Sequence, residues 1–394
     1  MKKLVTLLVA LVLVLSCFAS AETAETFKLG LYTPLTGASS AYGIELRNGV
    51  ALGVEEINAA GGLNGVPIEL IVYDTQCSSE EASKIAIKLI EEDKVDACIG
   101  SLLSGEVFAA GPYFNEAGIY MLGCGTAASW MKEDWPYVFR PAMNNDYAVP
   151  IAANMLVELG YTKVAIFNGQ DDAALTTADT FQAKFEELGI EVVARESYDL
   201  TDTDYSGQIA KMLSKDPDII LMSVIGQTAG PLVRQLRQAG YTGLILSKES
   251  FMATQIEVAG AANSNYICFA NPYVTYDSIE DCDIPNVREY NEKYLEAYGT
   301  MIATDSAYRG YDATTVLRAA AAAAGANDSD SLVAATNQLV VDGLGGTIDF
   351  TDGSREAYGN FNCFILVDGK NVLFSTWLNE GGYDAYLADT GNAR

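Results

Sequence analysis

From residue 28 onward, short apolar runs alternate with longer amphipathic ones. Strands are read at Lys28 to Tyr32, Ile68 to Tyr73, Val95 to Ile99, Ile119 to Leu122, Val164 to Phe167, Glu191 to Ser197, Ile219 to Met222 and Leu244 to Leu246. Such short runs between turn signals have the length and composition of buried strands. Between them the period changes. Leu46, Val50, Val54 and Ile57 recur at helical spacing and stop at Asn58-Ala59-Ala60-Gly61-Gly62, whose glycines suit a left-handed helix cap. Ser78 to Glu81 spells a capping box, and Ala82, Ile85, Ala86, Leu89 and Ile90 share the face that follows. Leu232, Val233, Leu236 and Ala239 form another such face. This alternation predicts right-handed βαβ units: α/β layers, with parallel sheets covered by helices on both sides.

The two halves of the chain share this rhythm, with breaks near Pro141 to Asp146 and at Asn271-Pro272. Two similar lobes are expected. Beyond Asn271 come an acidic loop (Asp277 to Asp283), a helix around Val287 to Tyr298 and an alanine-rich helix from Ala313 to Ala324. The small side chains of the last predict tight packing against a sheet. A glycine-rich segment, Gly343 to Gly353, precedes two closing strands at Cys363 to Val367 and Asn371 to Phe374.

The first residues read differently. Met1-Lys2-Lys3 leads into an apolar run from Leu4 to Leu15, the form of a secretory signal. The run is shorter than the ~20 residues that span a bilayer. Ala19-Ser20-Ala21 fits cleavage before Glu22; Val14-Leu15-Ser16-Cys17 resembles a lipobox that would leave Cys17 acylated. The remainder, roughly 370 residues, has the length of two domains. Almost half of the residues are hydrophobic, enough for large cores.

Charge and residue types then exclude whole classes. With 24 basic and 52 acidic residues the net charge is −28, which disfavours nucleic acid and anionic membrane as partners. There is no histidine, so Ser-His-Asp triads, Cys-His dyads and histidine-ligated zinc are ruled out. The loop from Gly37 to Gly43 does not match the dinucleotide fingerprint, and no phosphate-loop lysine motif occurs. No catalytic residue, cofactor or metal site is expected. Six cysteines follow the signal: Cys77, Cys98, Cys124, Cys268, Cys282 and Cys363. In an exported chain they permit disulfides, in any of 15 pairings for six thiols.

Residues 40 to 75, SAYGIELRNGVALGVEEINAAGGLNGVPIELIVYDT, resemble the first helix and second strand of the type I periplasmic binding proteins, in the leucine/isoleucine/valine-binding branch. Asp202 to Ser206, Pro217 to Ile220 and the segment Gly343 to Gly353 extend the resemblance over nearly the whole chain. It implies two Rossmann-like lobes with parallel sheets joined by a three-strand hinge. The expected division is a signal at 1–21, one lobe of 22–143 plus 275–355, and another of 144–274 plus 356–394. The implied function is extracytoplasmic capture of an amino acid, branched-chain or related, by lobe closure. A monomer would then deliver it to the membrane permease of an ABC importer. A sensor acting through a separate receptor is the alternative. In the family Cys77 is one half of a disulfide; the other half falls on Leu103, so the bridge is absent or rerouted to Cys98 or Cys124.

Two loops of the first half follow strands and carry hydroxyls and glycines: Ser101 to Gly105, and Gly123 to Ala128. Helix amino ends after such strands suit a carboxylate. By resemblance, Ser104 binds the ligand carboxylate, and Gly125, Thr126 and Ala127 supply backbone and hydroxyl contacts. Glu249, at the tip of the loop after Leu244 to Leu246, matches the glutamate that pairs with the α-ammonium. Tyr42 matches an aromatic that contacts the ligand side chain. Ala173 stands where the family has a tyrosine, which puts side-chain specificity in question. Ser104 as an ordinary helix cap and Glu249 as a solvated acid are the structural alternatives.

Overall fold

The structure, a computed structural model, describes residues 26–127, 129–141, 145–251, 253–282, 284–357 and 361–392. The signal, both cleavage readings and Cys17 lie outside the described residues, as do Ala128, most of the break after Pro141, and Asp283.

The first lobe is built on β1 (Phe27–Thr33), which is buried at almost every position. A strand covered by helices on both faces must be apolar at successive positions. It lies between β2 (Ile68–Asp74) and β3 (Ala97–Gly100), and β4 (Tyr120–Leu122) and β5 (Val138–Phe139) complete a parallel sheet of order β2-β1-β3-β4-β5. β5 was not foreseen; two residues carry no period. On one face α1 (Ser40–Ala59) buries Leu46, Val50, Val54 and Ile57 against Leu29, Leu31 and Ile99. On the other, α2 (Ser79–Lys88) and α3 (Ser104–Glu116) pack on Tyr32, Cys98 and Met121. The expected caps form. The Glu81 N–H donates to Ser78 Oγ at 3.2 Å, and Gly61 and Gly62 adopt φ of +105° and +88° as α1 ends.

The chain then crosses to the second lobe through Arg140. There it runs α4 (Asn145–Glu158), β6 (Lys163–Gly169), α5 (Asp172–Glu187), β7 (Glu191–Tyr198), α6 (Ser206–Leu213), β8 (Ile219–Ser223), α7 (Gly226–Gln238), β9 (Ile245–Ser247), α8 (Ala253–Ala259) and β10 (Ile267–Asn271). It returns after Asn271 and adds α9 (Pro285–Tyr298), α10 (Ser306–Ala324), α11 (Ser329–Thr336) and the hairpin β11 (Val340–Gly343) and β12 (Gly346–Asp349). A third crossing leads to β13 (Asn362–Val367), β14 (Lys370–Leu373), α12 (Phe374–Asn379) and α13 (Gly382–Thr390). The second sheet has order β14-β13-β10-β9-β8-β6-β7. β13 is antiparallel to both of its neighbours, so this sheet is not wholly parallel. A short turn at Asp368-Gly369 joins β13 to β14, and so short a connection forces an antiparallel pair.

Two details depart from the sequence reading. α10 begins at Ser306 rather than Ala313, because its first turns bury Tyr308, Arg309 and Asp312 instead of an apolar stripe. Its alanine face, Ala313, Ala320 and Ala321, sits in the core shared with the sheet and with α1. There a Cβ on Gly49 would overlap the Ala307 carbonyl, and one on Gly53 the Thr314 hydroxyl. The six cysteines are all free thiols; Cys98 and Cys124 are buried core side chains, and no bridge runs from Cys77 to either.

The crossings are tied together. Arg140 Nη2 lies 2.7 Å from Glu356 Oε2, and Asn271 Nδ2 donates to Asp305 Oδ2 at 3.3 Å.

Candidate ligand-binding site

Strand order decides where a crevice opens. In the first sheet it reverses between β1 and β3, so the loops leaving their carboxyl ends diverge. In the second it reverses between β6 and β8. The two crevices face one another around a cavity of about 380 Å³. Small-molecule sites span roughly 300–1,000 Å³. The β1 and β3 loops bring Ser39, Tyr42 and Leu102 to Glu106; the β6, β8 and β9 loops bring Asp171 to Ala173, Ile225 to Gln227, Lys248 and Glu249.

The lobes are closed on this cavity. The Gln255 amide of α8 donates to the Tyr42 hydroxyl of α1. Ser129 Oγ donates to Asp172 Oδ2 at 2.5 Å, and Ala173 packs against the Tyr32 and Trp130 cluster of the first lobe.

Five of the seven residues singled out from the sequence line the cavity: Tyr42, Ser104, Thr126, Ala173 and Glu249. Gly125 and Ala127 stand one layer behind. A Cβ at Gly125 would lie 2.9 Å from Ser104 Cα, so glycine lets the loop pass close behind the serine. Ala127 is buried, and its N–H donates to Ser104 Oγ at 3.0 Å.

Ser104 is not the helix cap. Leu103 holds the cap position in extended conformation, and Ser104 is the first residue of α3. With one lone pair of its oxygen taken by Ala127, the hydroxyl proton remains to donate. The first turn of α3 adds unpaired N–H groups and a positive partial charge. Glu106, in that same first turn, does not cancel this. Its carboxylate is tucked inward, accepting from Ser101 Oγ at 2.6 Å and Thr75 Oγ1 at 2.8 Å, and burial pushes its carboxyl up to about 7.

Glu249 faces the cavity, about one quarter exposed, with Oε1 at 2.7 Å from Lys248 Nζ. It is therefore not a solvated loop acid. The Lys248 ammonium is buried, which the sequence reading missed although it adjoins Glu249. Arg309 was also missed, because it reaches the wall from α10, distant in sequence. Its Nη2 lies 2.6 Å from both Asp305 oxygens. Burial draws the guanidinium's pKa down, but the charges of Asp305 and Glu249 outweigh it and hold it above the usual value. Burial, then the charges of Glu249 and Asp305, also raise the Tyr42 hydroxyl well above its ordinary range. Asp171 is the third omission. It caps α5, accepting the Ala174 N–H on Oδ1 at 2.9 Å, a role its position before α5 signals. Among the described residues no group of three or more candidate metal ligands occurs.

Two α/β lobes shut on a small cavity, with a helix amino end on one side and an acid on the other, define a bilobal small-molecule receptor. The periplasmic binding protein family matches residues 26–370, and the chain belongs to that family, in its type I, branched-chain amino acid branch. It is 28% identical over 257 residues to an amino acid binding protein of Pseudomonas aeruginosa, covering 65% of this chain and 68% of that one. The leucine binding protein LivK of Thermotoga maritima superposes with a TM-score of 0.79 at 26% identity, over 88% of this chain and 97% of that one. The branched-chain amino acid transporter substrate binding protein LivJ of Streptococcus pneumoniae, solved with isoleucine, gives 0.77 at 26%, over 88% and 98%. The family consists of substrate-binding proteins rather than enzymes.

Proposed function

We propose that this protein captures a free α-amino acid outside the cytoplasmic membrane and delivers it to the permease of an ABC importer. The observation that carries the reading is the cavity itself. One lobe contributes Ser104, Thr126 and the amino end of α3, and the other contributes Glu249. A zwitterion has the complementary ends. Its carboxylate meets the N–H groups and hydroxyls of the first lobe, and its ammonium meets Glu249 through a charge-assisted hydrogen bond. The Lys248 contact leaves room for this, since a carboxylate offers about four acceptor positions. The relatives named above support the ligand class, and the contacts of Gln255 with Tyr42 and of Ser129 with Asp172 support capture by closure. The lobes are drawn at 22–143 with 275–355 and at 144–274 with 356–394, behind a signal at 1–21.

Denaturing and refolding the protein removes carried-over ligand; calorimetric titration with the common amino acids then tests the proposal. At least one is expected to bind with micromolar affinity or better, and Glu249→Gln is expected to weaken it tenfold or more. Heat from none of them would overturn the reading. An unchanged affinity in a folded Glu249→Gln would remove the ammonium role alone.

A further inference from the structure

Asp305 holds the cap position of α10 but makes no capping hydrogen bond. An acid there ordinarily accepts an N–H from the first turn. Its two oxygens turn to Arg309 instead, each 2.6 Å from Nη2, and Oδ2 also accepts from Asn271 Nδ2 at 3.3 Å, beside a crossing between the lobes. Asp305 and Arg309 are both buried, so their charges are little screened. Arg309 lines the ligand cavity from the first lobe, where Nη1 donates to the Cys124 carbonyl at 3.5 Å. Glu249 lines the same cavity from the second lobe. It has two cations at hand: Lys248 at 2.7 Å, and Arg309, on which its charge already acts. A ligand ammonium arriving at Glu249 is a third cation, and like charges gathered at one site disfavour each other.

We infer that Asp305 reserves Glu249 for the ligand by engaging Arg309, and so sets the preference for a ligand that carries an ammonium. Asp305 acts through Arg309 and is a positioning residue. The inference rests on the amino acid reading above and says how its ammonium contact is kept open. With Asp305 charged, the guanidinium is neutralised and held on α10. With that charge removed, a buried cation loses its partner, and Glu249 is the acid across the cleft that replaces it. Arg309 then stands in for the ligand's ammonium, and the lobes shut on an empty cavity.

The test compares ligand-stripped wild type, Asp305→Asn, Arg309→Gln and the double variant. The probes are the tightest-binding amino acid from the titration above and its des-amino analogue (for leucine, 4-methylpentanoate), with small-angle scattering of each ligand-free protein. Asp305→Asn is expected to weaken the amino acid at least tenfold and to leave the analogue within threefold or tighten it. Its ligand-free radius of gyration is expected to shrink toward the liganded value. Adding Arg309→Gln is expected to return amino acid affinity to within threefold of wild type and to reopen the ligand-free lobes. Equal loss of both probes in Asp305→Asn, or no recovery in the double variant, would overturn the inference and leave the amino acid reading standing. Should Asp305→Asn not fold, Arg309→Gln alone decides. Removing the competing cation should raise the preference for the amino acid over its analogue at least threefold, and an unchanged or lower preference would overturn the inference. Wild type binding no amino acid would overturn both.

Discussion

Gly226 stands where the lobes touch, and one methyl group there should oppose closure. It is the first residue of α7, and an ideal Cβ would fall on the Tyr42 hydroxyl, 2.5 Å from Tyr42 Cζ and 2.9 Å from Gln255 Nε2. In the closed form, Gly226→Ala must therefore displace the tyrosine ring. Losing its hydrogen bond to Gln255 costs about 0.5–1.5 kcal/mol. Driving the ring off its rotamer costs about as much again. The sum, about 1–3 kcal/mol, falls on the closed form alone. A ligand that binds the closed form is then weakened by about 5- to 150-fold at 1.4 kcal/mol per decade. Calorimetry measures the affinity, and small-angle scattering with saturating ligand measures the radius of gyration. Thermal stability should stay level or rise slightly, since alanine is the better helix former. Gly207→Ala on α6, which meets nothing within 4 Å, is the control and should leave affinity unchanged. In a Tyr42→Ala background the obstruction is gone, so Gly226→Ala should cost little there. Unchanged affinity and an unchanged radius in Gly226→Ala would refute the closure geometry.

Burial raises the carboxyls of Glu45 and Glu106 to about 7 and of Asp312 to about 6. The folded protein keeps these protons where the unfolded chain, with carboxyl values of about 3.9–4.3, has released them. Their contribution to stability is complete below about pH 4 and fades as pH rises through 6 to 7, by about 1.4 kcal/mol per pH unit per group. Glu56, where hydrogen bonds from Lys293 and Tyr311 outweigh burial, and Asp74, where bonds from Thr36, Gln76 and Leu35 do so, act oppositely and weaken the fold in stronger acid. Calorimetric melting should therefore peak near pH 5 and fall by pH 8, with a shallower fall in Glu106→Gln; a higher Tm at pH 8 than at pH 5.5 would contradict this. Gly49→Ala, whose Cβ meets the Ala307 backbone rather than a flexible side chain, should cost about 1–3 kcal/mol in urea unfolding through overpacking of α1 on α10. No loss there would show that the two helices can slide apart.

The alternation of short apolar runs with amphipathic ones determined most of the elements. Covered strands such as β1 and β8 must be apolar along their length, and their helices must carry a stripe, so both facts are local and legible. So were the caps at Ser78 and Gly61-Gly62, because a cap is made by residues adjacent in the chain. β5, the β11–β12 hairpin and the first turns of α10 were not legible: two residues hold no period, and Arg309 and Asp312 are buried against partners distant in sequence. The site divides the same way. Ser104 and Thr126 stood at strand ends in loops carrying glycines and hydroxyls, and Glu249 at the tip of a polar loop that resembles the family's, so their neighbourhood could be named from the sequence. Which groups share the cavity, that Lys248 pairs with Glu249, that Arg309 arrives from α10, and that Asp305 turns to it rather than capping the helix were decided by the tertiary structure alone. Charges and hydrogen bonds act over a few ångströms, and only the folded chain sets those distances.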